Sequence, residues 1–278
     1  MGDEDRQPSS DAKAVSRCTN CAEVLEGRYC HRCGQRAGYL PGSLRTFVVD
    51  SLRDVLSFRS RTLRSLAHLV VRPGELTAAY FGGRRVRYTR PLKVYLLAAA
   101  VFFVANSYRP FISIAPKGEV VSSLSAAGTQ MGLGAEMREI EERGGSVELF
   151  RERFRWTVSR SLPHFMVGSI LLFALALAAF NPGRTGLRHL VFSLHWTGFF
   201  LFVMSFERLL PEVPGPVDPV ALGFLVGILA HLVVSLRRAY EHSWTRAVAS
   251  GVGLLAVFNV ILALWMLAVV GFAAHQAA

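Results

Sequence analysis

Five long apolar stretches, at residues 91–108, 162–180, 190–210, 217–236 and 247–272, constrain this chain more than any other feature. At about 1.5 Å of rise per residue, each is long enough, or nearly so, to cross a hydrocarbon layer about 30 Å thick as a helix. A chain that is 51% hydrophobic and only 18% charged, with mean hydropathy +0.33, has more apolar surface than a water-soluble domain of 278 residues needs. The expected fold is therefore an all-α multispanning membrane bundle. The first stretch carries Lys93 and Asn106, and the fourth opens on Asp218 and Pro219. An interfacial first segment would leave four crossings.

All four cysteines lie within sixteen residues, as Cys18-x2-Cys21-x8-Cys30-x2-Cys33. Two such knuckles supply four thiolates in the arrangement that tetrahedral zinc accepts, and the short loop between them leaves no open position for a substrate. The expectation is one structural Zn(2+) in a small zinc-ribbon-like domain at residues 18–36, after a disordered tail at 1–17. Acidic residues at Asp3, Glu4 and Asp5 and the lack of a following apolar run speak against a signal peptide. Reduced thiols in the cytoplasm also suit metal binding better than disulfide formation.

Basic residues orient the bundle. They outnumber acidic ones roughly two to one before the first stretch, ending in Arg84, Arg85, Arg87, Arg90 and Lys93, which are expected at lipid headgroups. Arg184 and Arg188, then Arg237, Arg238 and Arg246, mark later loops on the same side. This places the N-terminus in the cytoplasm and the C-terminus outside. Within residues 37–90, Arg45, Arg53, Arg59, Arg61, Arg64 and Arg72 alternate with apolar residues at helical spacing. Such segments read as amphipathic juxtamembrane helices lying on the membrane surface, broken at Pro73-Gly74 and Gly82-Gly83. Nucleic acid is not an expected partner, because the arginines lie beside the membrane rather than on the metal knuckle.

Residues 109–161 read as an external loop, irregular or hairpin-like at first and then an amphipathic helix interrupted near Gly144-Gly145. Inside the apolar stretches, His195, His231 and Asn259 are costly unless partnered, with His189 and His242 nearer the headgroups on the same side. These five form a candidate polar membrane site. Interhelical hydrogen bonding is the simplest reading; a second metal or haem site, or a translocation path for a small solute or lipid, is the sharper one. Gly223-x3-Gly227-x3-His231-x3-Ser235 places small and polar residues on one helix side, an expected packing seam that could also serve a homodimer. The four tryptophans are expected near span boundaries.

Enzyme motifs are thin. There is no phosphate loop, no His-Glu-x2-His and no dinucleotide-binding glycine series. No catalytic residue is assigned, and a lipid-modifying enzyme is the chemically sensible minor alternative. Several landmarks occur in order: Cys18-Thr-Asn-Cys21 and Tyr29-Cys30-His-Arg-Cys33-Gly34-Gln35, then Arg72-Pro73-Gly74, Phe81-Gly82-Gly83-Arg84-Arg85-Val86-Arg87-Tyr88 and Pro91-Leu-Lys-Val-Tyr95. Val191–Phe199 and Leu236–Tyr240 follow. With these the chain resembles the bacterial DUF3667 family of uncharacterised membrane proteins. That resemblance implies a zinc-ribbon-like domain attached to an inner-membrane bundle, and no defined reaction. The functional expectation is a membrane-anchored, zinc-dependent interaction or assembly module with a cytoplasmic protein partner.

Overall fold

The computed structural model describes residues 16–37, 60–108, 146–207 and 219–277, with residues 45, 47–48, 112–114, 119–122, 131–132, 138, 141–142, 144 and 210. The expected tail before residue 16, most of residues 38–59 and much of the 109–145 loop lie outside the described residues. Seven helices are described: α1 (Ser60–Val71), α2 (Glu75–Phe81), α3 (Pro91–Tyr108), α4 (Val147–Phe180), α5 (Gly186–Glu207), α6 (Pro219–Tyr240) and α7 (Trp244–Ala277). From α3 onward, all five are long and apolar enough to cross a membrane. In the loop after α3 the hairpin-like alternative holds. The loop carries a small antiparallel sheet in the order β1 (Ile112–Ile114), β2 (Glu119–Ser122), β3 (Met131–Gly132), with Ile112 opposite Ser122 and Val120 opposite Met131.

Helix α5 is the hub of the bundle, with 78% of its most apolar stretch buried against 22% for α7. Small residues decide how closely its neighbours approach. A Cβ on Gly198 would lie 3.4 Å from the Tyr95 Cα, so α3 and α5 meet nearly backbone to backbone. Trp196 stacks on Phe173 of α4 at 4.5 Å and is 1% exposed, which makes it core rather than the boundary anchor its residue type suggested. Trp244 does lie at a helix start, half exposed, with the Arg237 guanidinium 4.4 Å above its ring.

Helices α4 and α7 form an antiparallel pair. Phe165 stacks on Trp265 near one end, and at the other a Cβ on Gly253 would meet the Phe180 ring at 2.8 Å. Sequence placed the loop boundary at residue 161, but α4 begins at Val147, where Ser146 accepts the Leu149 backbone N–H at 3.2 Å as N-cap. The 34 residues of α4 span about 51 Å at 1.5 Å per residue, well beyond one hydrocarbon layer. Pro163 deletes one backbone hydrogen bond without ending the helix, because Phe150, Phe154 and Val158 before it join the same buried core as Met166 and Phe173 after it.

Helices α1 and α2 are not simply laid on the surface. Thr62, Ser65 and Leu69 on one side of α1 are buried, as are Leu76, Thr77 and Ala79 of α2, while Leu63 and Val71 remain exposed. The pair is thus sunk into the bundle beside α5 and α6, with one α1 face left outward.

Candidate metal centre and the inserted helical clamp

The cysteine segment consists of two copies of one turn. Cys18 donates its N–H to the Glu23 carbonyl and accepts from the Ala22 N–H; twelve residues on, Cys30 donates to Gln35 and accepts from Gly34. Flanking bridges repeat the register, Arg17 with Val24 and Tyr29 with Arg36. Each copy needs a left-handed residue after its second cysteine. Gly34 takes φ 73° without penalty, whereas Ala22 takes φ 61° with a Cβ that disfavours it.

The turns bring all four Sγ atoms within 4.8 Å of one another, with Cys18 to Cys33 at 3.6 Å and Cys21 to Cys30 at 3.5 Å. A tetrahedral site with metal–sulfur bonds of about 2.3 Å has edges of about 3.8 Å, so the sulfurs fit such an ion. Their electrostatics agree. Burial works against the Cys18 thiolate, but the N–H groups of Cys21 and Asn20 outweigh it and bring the thiol down to about 7. The Cys33 N–H lowers Cys30 against opposing burial. At Cys21 the Glu23 N–H favours the thiolate, yet burial and the neighbouring sulfurs prevail and push it up to about 12. Four thiolates at this spacing need a cation between them.

Gln35, just past the knuckle, joins it to the membrane part. Its Nε2 donates to the Gly83 carbonyl at 2.8 Å and to Thr19 Oγ1 at 2.7 Å, while its Oε1 accepts the Arg85 N–H at 3.2 Å. Gly83 has φ 79°, and a Cβ there would press on Thr19 Oγ1 at 3.0 Å. The knuckle therefore sits on the turn that ends α2. Sequence reasoning quoted Gln35 among the landmarks without giving it a task; its position next to a Cys-Gly knuckle was the available signal.

The intramembrane histidines face this same insertion. The Leu69 carbonyl, in the last turn of α1, would ordinarily accept the N–H of residue 73, but that residue is Pro73 and has none. His231 Nε2–H supplies the missing donor at 2.9 Å, which fixes the tautomer and leaves Nδ1 to accept the Ser235 hydroxyl at 3.4 Å. Phe199 stacks on the His231 ring at 3.4 Å. The Pro73 carbonyl takes Arg238 Nη1–H at 2.8 Å, and Gly74, at φ 73°, comes so close to α6 that a Cβ would lie 2.8 Å from the Ser235 Cα. His195 Nδ1 meets Thr77 Oγ1 of α2 at 2.9 Å.

His195 and His231 share one small cavity of about 10 Å³ with Thr77, Trp196 and Ser235, room for about one water molecule. The other expected members lie elsewhere. His189 stacks on Tyr240 and bonds its hydroxyl at 2.9 Å, and His242 is buried beside the same ring. Asn259 is an exposed residue of α7 that donates to its own Leu255 carbonyl at 2.8 Å, so the shared polar site does not extend to it. Gly223 and Gly227 have nothing within 4 Å, so only the His231–Ser235 half of the expected seam packs within the chain.

The basic run is similarly divided. Arg87 is exposed and Arg84, Arg85 and Arg90 are half-buried, but Lys93 is 1% exposed because the first turn of α3 is enclosed by the bundle. Lys93 is therefore not a headgroup contact in this fold. Arg85 lies 4.9 Å over Tyr80, and the Arg61 guanidinium donates to the Val86 carbonyl, tying the run to α1 and α2.

No curated protein and no solved structure matches the chain. A family model described as a protein of unknown function, DUF3667, matches residues 59–103, which supports that family over α1, the Pro73-Gly74 turn, α2, the basic run and most of α3.

Proposed function

We propose that this protein is a membrane-anchored interaction or assembly module whose Cys18, Cys21, Cys30 and Cys33 hold one structural zinc ion. The zinc domain then presents a cytoplasmic surface to a protein partner, and the bundle fixes its position in a bacterial inner membrane. The observation that carries this reading is the Gln35 contact with Gly83 and Arg85, which seats the knuckle on an element inserted in the bundle. Zinc is the ion of choice for four thiolates in a closed tetrahedral site. Tyr29, 62% exposed at the hairpin between the knuckles, and the adjacent exposed Arg28 and His31 form the outward tip. Exposed aromatic and arginine side chains are the residues that most often anchor protein interfaces.

The anchoring reading is favoured over transport because the cavity reached by His195 and His231 holds about one water and their ring nitrogens serve α1, α2 and Ser235. A photocrosslinker at Tyr29 in living cells tests the module. The expected result is one discrete protein adduct that disappears in Cys30→Ser while membrane insertion is retained. Adducts to lipid alone, or an adduct indifferent to Cys30, would defeat it.

A further inference from the structure

One side of α1 gathers cations around a single histidine. Arg64, His68 and Arg72 follow one another at four-residue spacing, so they share a helix side, each arginine about 6 Å of helical rise from the imidazole. Arg87 reaches the same place from the basic run. Its guanidinium lies 5.5 Å from the centre of the Tyr88 ring, and that ring stands 5.5 Å from the His68 ring. All three arginines are exposed, and His68 is half-buried. Burial acts most strongly in holding His68 below its ordinary range, Arg72 is the strongest charge acting with it, and Arg87 and Arg64 add to the effect against Glu75.

Tyr88 fixes the imidazole. Its hydroxyl donates to Glu75 Oε1 at 3.4 Å and therefore accepts from His68 Nδ1–H at 3.1 Å, which leaves Nε2 as the ring nitrogen not used by Tyr88. Glu75, the acid of this group, is also shared with Arg238 at 4.0 Å. Among the described residues, the guanidiniums of Arg64, Arg72 and Arg87 make neither a hydrogen bond nor an ion pair. The cations are thus concentrated on one imidazole while the nearby acid is already engaged.

We propose that Arg64, Arg72 and Arg87 bind a phosphomonoester over His68, with the guanidiniums on its terminal oxygens and His68 Nε2 as a further donor. Charge selects the ligand. A carboxylate or a phosphodiester brings one negative charge, whereas a phosphomonoester brings about −1.5 to −2 at neutral pH on three oxygens that match the guanidinium fork. The same group comes from a soluble ester or from phosphatidate in a membrane, and the test separates these sources. The inference goes beyond the zinc-domain reading and stands without it, because it uses none of the same residues.

The test uses the full chain in mild detergent. Calorimetry compares glycerol 3-phosphate with dimethyl phosphate, and native mass spectrometry compares phosphatidate with phosphatidylglycerol of the same acyl chains. One monoester should bind saturably, with its diester counterpart roughly tenfold or more weaker. Phosphatidate displaced by equimolar glycerol 3-phosphate identifies a soluble ester as the ligand, and phosphatidate that resists displacement identifies the lipid. Arg64→Gln combined with Arg72→Gln, or Arg87→Gln alone, should weaken the monoester roughly tenfold or more at an unchanged melting temperature. Arg153→Gln with Arg155→Gln, which removes charge from exposed positions on α4, should leave binding as it is. At pH 7.5 the arriving dianion should draw a proton onto His68, read as proton uptake in buffers of different ionisation heat and lost in His68→Gln. No saturable monoester binding in either arm, a diester bound equally well, binding indifferent to the three arginines or equally sensitive to the α4 pair would overturn the site. So would the absence of proton uptake in the parent, or uptake that survives His68→Gln.

Discussion

His231 Nε2 lies 2.9 Å from the Leu69 carbonyl, joining the last turn of α1 to the middle of an apolar helix 162 residues away. The bond exists because Pro73 removes the backbone donor that would otherwise close that turn. Replacing His231 by alanine strands a buried carbonyl and should cost about 1–3 kcal/mol. Pro73→Ala restores a backbone N–H at the right sequence distance. In a double-mutant cycle followed by thermal unfolding in detergent, the loss from His231→Ala should be smaller when residue 73 is alanine. Equal losses in both backgrounds would mean that the carbonyl is not what His231 serves.

Gly74 packs against α6 at Ser235 whereas Gly227 of α6 faces open space, and the two should respond oppositely to alanine. At Gly74 the left-handed backbone and a Cβ only 2.8 Å from the Ser235 Cα combine, so Gly74→Ala should lose about 2 kcal/mol or more. Gly227 is helical and open, and Gly227→Ala should be neutral or stabilising by up to about 1 kcal/mol. Chemical unfolding of the two variants against the parent reads the difference directly.

The paired knuckles predict an asymmetric glycine effect. Ala22 and Gly34 occupy the same left-handed position in the two turns. Ala22→Gly relieves strain of about 1–2 kcal/mol and should slow metal loss to a chelator, while Gly34→Ala imposes that strain and should speed it. The same rate for both variants would argue against the repeated-turn geometry.

His242 links stability to pH. It is 8% exposed, and burial first, then Arg246 and Arg184, lowers its tendency to protonate below that of a free histidine. The unfolded chain therefore binds this proton more readily, so the stabilising contribution is complete above about pH 6.5 and is lost as pH falls through the lower folded value. Melting temperature should drop between pH 7.5 and 5, and His242→Phe should flatten part of that drop. An identical pH profile in the variant would remove His242 from the account.

Much of this architecture was legible because its signals are local. Apolar runs mark the five spans, and the Cys-x2-Cys repeats mark the metal centre without any tertiary information. What escaped the sequence were relationships whose two halves are far apart. Nothing in the spacing of His195 and His231 shows that Thr77 and Leu69 will meet them, because the reentry of α1 and α2 into the bundle is decided by packing. Asn259 looked like a partner for these histidines because of its residue type, but the face it occupies on α7 is a consequence of how α7 pairs with α4. Lys93 misled in the same way. A charge beside a membrane stretch usually marks the headgroups, and here the close approach of α3 to α5 encloses it. The amphipathic helix before the second span was legible, but its continuity with that span in α4 was not, because Arg151, Arg153, Arg155 and Arg160 interrupt the hydropathy signal without interrupting the helix.

A metal-held knuckle seated on an independently packed bundle is tested most directly by the zinc content of the purified chain. Elemental analysis of the protein, alongside its circular dichroism, should give one zinc per chain, with Cys30→Ser sharply reducing zinc while helix content stays near that of the parent. A zinc-free chain with the knuckle folded, seen as Gln35 contacts intact and cysteines shielded from thiol reagents, would contradict it.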